Sequence, residues 1–319
     1  MATVSYVLNE VRGKRIPEST RLRVRQAAAE LGYVPNATAR SLRAGRSDLV
    51  VAHVPGGVPM LQRAAAGLER VGSRLREAGF RLMVDIESAL SGQQAARHWS
   101  ALRPAVLLTN AGFLDDAGLA QLHAAGTTVV AIAHASQKQK LGSLPTIVFD
   151  DSMIGEVAVQ HLIDRGCREI TLIQPEHPAT SPLARQRKVG AQRAARRTKS
   201  VRLSTASMRL STESAAKLAS SWIRGHRPDG VFGFDDSHAG LLLSAMLDHG
   251  LRVPQQVALV GSDNSEVCEM LRPKLTSTAI DTEDLAASLV DPVLRALQGT
   301  WREGLVEAPW KASLYKRDT

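Results

Sequence analysis

From residue 48 onward the chain alternates short β-branched runs with helix-length stretches, and this alternation constrains the fold more than any other feature. The strand-like runs lie at 49–54, 80–86, 105–110, 128–133, 146–150, 169–173, 201–205, 230–235, 257–263 and 275–281. Helical stretches at 60–78, 91–102, 114–125, 152–165, 184–197, 211–225, 237–249 and 282–298 separate most of them. A strand, a helix and a further strand in repetition build a parallel sheet with helices on both faces. The runs are too many for one ordinary open sheet. The chain is therefore predicted to be α/β, with two doubly wound parallel-sheet subdomains dividing near residue 146. Ligands bind such sheets at the carboxyl ends of the strands, so two facing sheets would hold one in the cleft between them.

The 319 residues allow two or three domains and ample buried core. Charge is unevenly spread. Residues 1–47 hold nine Lys/Arg against three acids, and residues 185–209 hold nine Lys/Arg and no acid. The formal total is only +9, so the rest of the chain is net negative. A basic end on an acidic body fits nucleic-acid binding at that end. The basic run 185–209 is a second candidate patch, with Arg193, Arg196 and Arg197 near one helical face; a solvated helix and loop is the simpler account and the one expected. Cys167 and Cys268 form neither a metal motif nor a disulfide framework, which suits reduced thiols in a cytoplasmic protein. No signal peptide and no membrane span is read. No G-x-S-x-G, Walker loop, H-E-x-x-H or Cys/His constellation is present. Neither an enzyme nor a cofactor is expected.

The first 47 residues read as three short helices. In 2–9, Val4, Val7 and Leu8 lie at i, i+3, i+4. In 17–31, Pro17 suits the first turn, Val24, Ala27, Ala28 and Leu31 mark one face, and Gly32 closes the end. In 35–46, Asn36 is a good N-cap and Gly45 a stop. That last helix carries Arg40, Arg43 and Arg46 with one large apolar residue, Leu42. It is too short to be stable alone. It is either a solvated linker or a segment that folds on DNA, with arginines on phosphates and Leu42 wedged between base steps.

ATVSYVLNE at the start, followed by IPESTRLRVRQAAAELGYVPNATARSLRAGR over 16–46, resembles the headpiece and hinge of the lactose-repressor (LacI/GalR) family of bacterial transcription regulators. The resemblance continues through nearly all of the chain. It implies a helix-turn-helix headpiece (1–34), a hinge helix (35–47) and a periplasmic-binding-protein-like core (48–319). The core would comprise an N-subdomain of 48–145 plus 281–301 and a C-subdomain of 146–280 plus 302–319. The family has a first helix and tight turn ahead of residues 2–9, and this chain begins inside that turn, so a truncated headpiece is expected. Two accounts stay open: a start codon assigned too late, or real loss of DNA binding.

The resemblance also implies roles. On a recognition helix in the major groove Ala2 and Tyr6 would read bases and Thr3 and Ser5 lie nearer the phosphates; Asn9, Asn36, Arg40, Ser41 and Arg43 would also contact DNA, and Leu42 would enter the minor groove. The partners would be a pseudo-palindromic double-stranded operator, a second copy of the chain in a homodimer, and a small effector such as a sugar. The effector candidates are the strand-end polar residues Asn110, Asp150, Asp235 and Asp263, and Arg187, which forms R-x-x-G with Gly190 at the start of a helix, with Trp222 as a stacking wall or a core residue. Asp at strand ends also serves as a local cap or turn former. The chain departs from the family at PGGVPML (55–61) and at Ser262, where aromatics are usual. The expected function is a ligand-responsive repressor. The alternatives are a sensing-only core and a solute-binding protein of the same fold.

Overall fold

The computed structural model describes residues 2–8, 15–33, 47–54, 58–86, 90–135, 137, 143–177, 180–198, 200–308 and 311–319. Asn9, Asn36, Arg40, Ser41, Leu42 and Arg43 lie outside them.

Two helices come first, α1 (Ala2–Leu8) and α2 (Glu18–Glu30). Of their described side chains only Val7 is buried. The apolar face expected on α2 is not a buried one, since Ala27 is exposed and Leu31 is 82% exposed. The reason is local: one short neighbour, α1, is the packing partner described for it.

The first sheet uses β1 (Leu49–His53), β2 (Arg81–Asp85), β3 (Val106–Asn110), β4 (Thr128–His134), β5 (Thr146–Phe149) and β11 (Leu305–Glu307), in the order β11-β5-β4-β3-β1-β2. Every pairing in it is parallel. Helices α3 (Val58–Glu77), α4 (Gly92–Leu102), α5 (Asp116–Ala124) and α11 (Thr282–Leu297) go with this sheet. Ser91 caps α4 by exchanging hydrogen bonds with Gln94, and Asp115 and Asp281 cap α5 and α11.

The second sheet uses β6 (Glu169–Pro175), β7 (Arg202–Met208), β8 (Gly230–Phe232), β9 (Ala258–Ser262), β10 (Thr276–Ile280) and β12 (Ala312–Tyr315), in the order β12-β10-β9-β8-β6-β7. It is parallel except where β12 runs antiparallel to β10. Helices α6 (Ser152–Asp164), α7 (Ser181–Arg196), α8 (Thr212–Arg224), α9 (Asp236–Asp248) and the short α10 (Val267–Met270) belong here. The central strands are apolar on both faces because helices cover both.

The subdomain division differs from the expected one. Both β5 and β11, assigned by sequence to the C-subdomain, hydrogen-bond into the first sheet: Ala131 pairs with Thr146, and Leu305 with Thr146. The chain therefore crosses between sheets after Phe149, after Ile280 and after Glu307, not near 146 and 302. Strand β4 ends at His134, and the apolar run from Thr146 adds the next strand to the same sheet. No described helix is long and apolar enough to cross a membrane.

Candidate effector pocket and headpiece

A cavity of about 320 Å³ opens at the carboxyl ends of β6, β7, β8 and β9. Glu176 and His177 follow β6, and Arg209 and Leu210 follow β7. Phe234, Asp235 and His238 follow β8, while Ser262 ends β9 and Asp263 follows it. Parallel strands bring their loops to one edge, which is where such folds bind ligands.

The loop after β8 turns sharply. Strand β8 ends at Phe232, not at 235 as the run GVFGFD suggests. Asp235 N–H donates to Gly233 O at 2.7 Å, and Phe234 between them has φ +58°. The loop after β9 is also left-handed, with φ +93° at Asp263 and +49° at Asn264. Such backbone costs of the order of 1 kcal/mol or more per non-glycine residue and clusters at functional sites. Fixed neighbours hold it here. Asp263 N–H donates to Thr278 O, Asn264 N–H to Ser277 Oγ, and Arg317 Nη2 to Asn264 Oδ1.

Arg187 ties the two loops together from behind. Its side chain is 1% exposed. The guanidinium donates to Phe234 O, to Ser262 Oγ at 2.5 Å and to Asp263 Oδ1 at 3.0 Å. It also lies 4.8 Å from the centre of the Phe234 ring. Helix α7 carries it that close because α6 and α7 touch through glycines. A Cβ on Gly155 would overlap the Arg187 carbonyl, and one on Gly190 the Ser152 carbonyl. The spacing R-x-x-G thus has a mechanical meaning: one residue reaches the pocket and the other lets its helix approach.

Asp235 caps α9, accepting from His238 N–H and meeting His238 Nδ1, both at 2.7 Å. Asp236 is 2% exposed and accepts from Ser277 Oγ and Ser265 N–H. Burial raises its pKa to about 6 despite those bonds. The cavity thus offers carboxylates as acceptors, Arg209 and hydroxyls as donors, and an aromatic wall. That is the equipment for a neutral, hydroxyl-rich ligand.

The other candidates fall elsewhere. Asn110 ends β3 in the first sheet and Asp150 follows β5, where its Oδ1 accepts from Ser152 N–H; neither lines this cavity. Trp222 is not a wall of it. The side chain is 7% exposed within the second subdomain's apolar cluster, because Ala215, Ala219 and Trp222 form the inward stripe of α8. Phe234 supplies the aromatic wall instead. Sequence reading missed Phe234 and His238, the first concealed in a strand-like run. The second is signalled only by its i+3 spacing from Asp235.

In the first subdomain His53, Trp99 and Phe113 stack at the carboxyl edge of β1, with His53 Nδ1 3.0 Å from Thr109 Oγ1. Among the described residues no cluster of His, Cys, Asp and Glu is placed to hold a metal. In the headpiece α1 is a regular helix, with Thr3 exposed and Tyr6 half-buried; Ala2 and Ser5 sit on the same helix.

Comparison with known proteins gives two family matches. Residues 1–36 match the bacterial regulatory proteins of the lacI family, and residues 159–319 match a periplasmic binding protein-like domain. The regulator DegA of Bacillus subtilis is 24% identical over 294 residues, covering 90% of this chain and 85% of its own. The lactose operon repressor of Escherichia coli is 28% identical over 322 residues, covering 99% and 86%. The crystal structure of the Lac repressor dimer bound to operator and the anti-inducer ONPF superposes with a TM-score of 0.78 at 24% identity, covering 100% of this chain and 94% of that one.

Proposed function

Because the chain belongs to the lacI family of bacterial regulatory proteins, with a periplasmic binding protein-like domain over its second half, we propose that it is a ligand-responsive repressor. Its named relatives are transcriptional regulators and not enzymes. The effector is a small hydroxyl-rich, sugar-like molecule bound between the subdomains, against the pocket that Asp235, Asp263 and Phe234 line and Arg187 braces. To its other wall we assign Asn110 and Asp150, at the carboxyl ends of β3 and β5 in the first sheet. The observation that carries this reading is Arg187: a buried guanidinium that locks two left-handed loops into one binding surface.

In this reading two copies pair on a pseudo-palindromic operator. Ala2, Thr3, Ser5, Tyr6 and Asn9 face the major groove, while Asn36, Arg40, Ser41, Leu42 and Arg43 act at the minor groove. Effector changes the angle between the subdomains and separates the paired hinge segments, so DNA affinity falls. One observation favours a second reading, a sensing core without DNA binding: α1 and α2 bury only Val7 among their described side chains.

Gel-shift titration of the chain on the DNA upstream of its own gene, at fixed salt, separates the two. Added mono- and disaccharides should release the wild type but not Asp263→Ala, which should bind DNA as tightly as wild type. Absence of sequence-specific binding, with saccharide binding intact, would establish the sensing core instead.

A further inference from the structure

A second concavity, of about 720 Å³, lies between α6, the carboxyl half of α7 and β12. It shares no lining residue with the cleft pocket. Three periodicities create it. Met153, Val157 and His161 recur every four residues along α6 and so share a face. Arg193 on α7 and Arg197 at its C-cap stand one turn apart. Ala312, Leu314 and Lys316 alternate along β12 and its continuation, pointing the same way.

The floor is apolar, from Met153, Val157 and Leu314. The rim carries Arg165, Arg193, Arg197, Lys311 and Lys316 against the carboxylates of Glu156 and Asp164. Both acids are engaged: Glu156 by Arg193 at 2.9 Å and Arg197 at 2.7 Å, Asp164 by Gln160 at 2.8 Å. Cations at helix carboxyl ends offset the helix dipole, which accounts for Arg165 and the α7 arginines. That does not account for Lys311 and Lys316, which flank strand β12.

Nor does it account for His161. This residue is 9% exposed, and its Nε2 is buried with no hydrogen-bond partner among the described residues. Burial, then the nearby Arg165 and Lys316, lowers its pKa, which favours the neutral ring. An unpartnered buried nitrogen costs about 1–3 kcal/mol until something satisfies it. In the tautomer with hydrogen on Nε2 it donates, and the partner it lacks is an acceptor.

We propose that this groove binds a small phosphorylated organic molecule. The phosphoryl group sits between Lys311, Lys316 and Arg197 and accepts from His161 Nε2. The organic part rests on Met153, Val157 and Leu314. Duplex DNA, the other polyanion to consider, presents a convex backbone that would leave the apolar floor uncovered.

Calorimetric titration of the full chain at constant ionic strength tests this, using phenyl phosphate, inorganic phosphate and a short duplex of unrelated sequence. Phenyl phosphate should bind saturably, one per chain, and about tenfold more tightly than inorganic phosphate because it covers the floor. The double variant Lys311→Gln/Lys316→Gln changes two exposed side chains and should weaken phenyl phosphate about tenfold with an unchanged circular dichroism spectrum. Asp263→Ala, in the other pocket, should leave it unaltered. No saturable phenyl phosphate binding overturns the proposal. So does binding that Asp263→Ala removes and the double variant does not, since the ligand is then in the cleft. Equal affinity for the two phosphates overturns the organic ligand in favour of free phosphate. Duplex binding that competes with phenyl phosphate and depends on the same lysines overturns it in favour of a nucleic-acid face.

Discussion

Asp236 is buried beside the loops after β8 and β9, and its carboxyl is held protonated to an unusually high pH. Its pKa rises from 3.8 to about 6. Between those values the folded chain keeps a proton that the unfolded chain releases. Stability therefore falls as pH rises from about 4 to about 6, by up to about 3 kcal/mol from this group, and is level above. Asp236→Asn cannot ionise, yet it can still accept from Ser265 N–H and donate to Ser277 Oγ. Urea denaturation across this range should give a wild-type-minus-variant difference that slopes downward and then flattens. A flat difference would mean that Asp236 ionises normally. His161, lowered by burial and neighbouring cations, acts in the opposite direction, losing stability as pH falls below its ordinary value. Glu269, lowered to about 2 by hydrogen bonds from Lys274 and Arg317, acts as pH falls below 4.5. Both are common to the two proteins and cancel in the difference.

The contact between α6 and α7 is the element on which the pocket depends. Gly155 and Gly190 meet backbone, not flexible side-chain ends, so an added methyl group forces the helices apart. Gly190→Ala should cost about 3 kcal/mol in urea denaturation and weaken effector binding by shifting Arg187. A variant of full stability would show that the helices slide without penalty. The elements themselves were legible in the sequence, because apolar runs and helical spacing are local properties: nearly every strand and helix of the core falls within a few residues of its reading. Sheet membership was not legible. Nothing in TIVF says whether it pairs beside Thr128–His134 or opens the next sheet; that is decided by hydrogen bonds to residues far away in sequence. The site was half legible for the same reason. Arg187, Asp235 and Asp263 are polar residues where polarity needs explaining. Phe234 is an apolar residue in an apolar run, and only the turn at Gly233 turns it into a wall.

At the scale of the whole molecule, the proposed function has DNA and effector act at separate places, with residues 35–47 between the headpiece segment and the first sheet as the hinge linking them. If Leu42 is the wedge of that hinge, Leu42→Ala should weaken operator binding in a gel shift by about tenfold or more, since unstacking contacts are worth a few kcal/mol. Saccharide affinity measured by calorimetry should stay as in wild type. Equal operator affinity would remove Leu42 from the mechanism.

The crossings carry one more consequence. The first sheet starts at Leu49 and takes its outer strand from Leu305–Glu307. During synthesis at about 5–20 residues per second, that outer strand can join only once the chain has passed residue 305. The nascent chain therefore carries β5 unpaired on one side for about half of its synthesis. Early termination just before residue 305 would leave an open strand edge ready to pair with another chain.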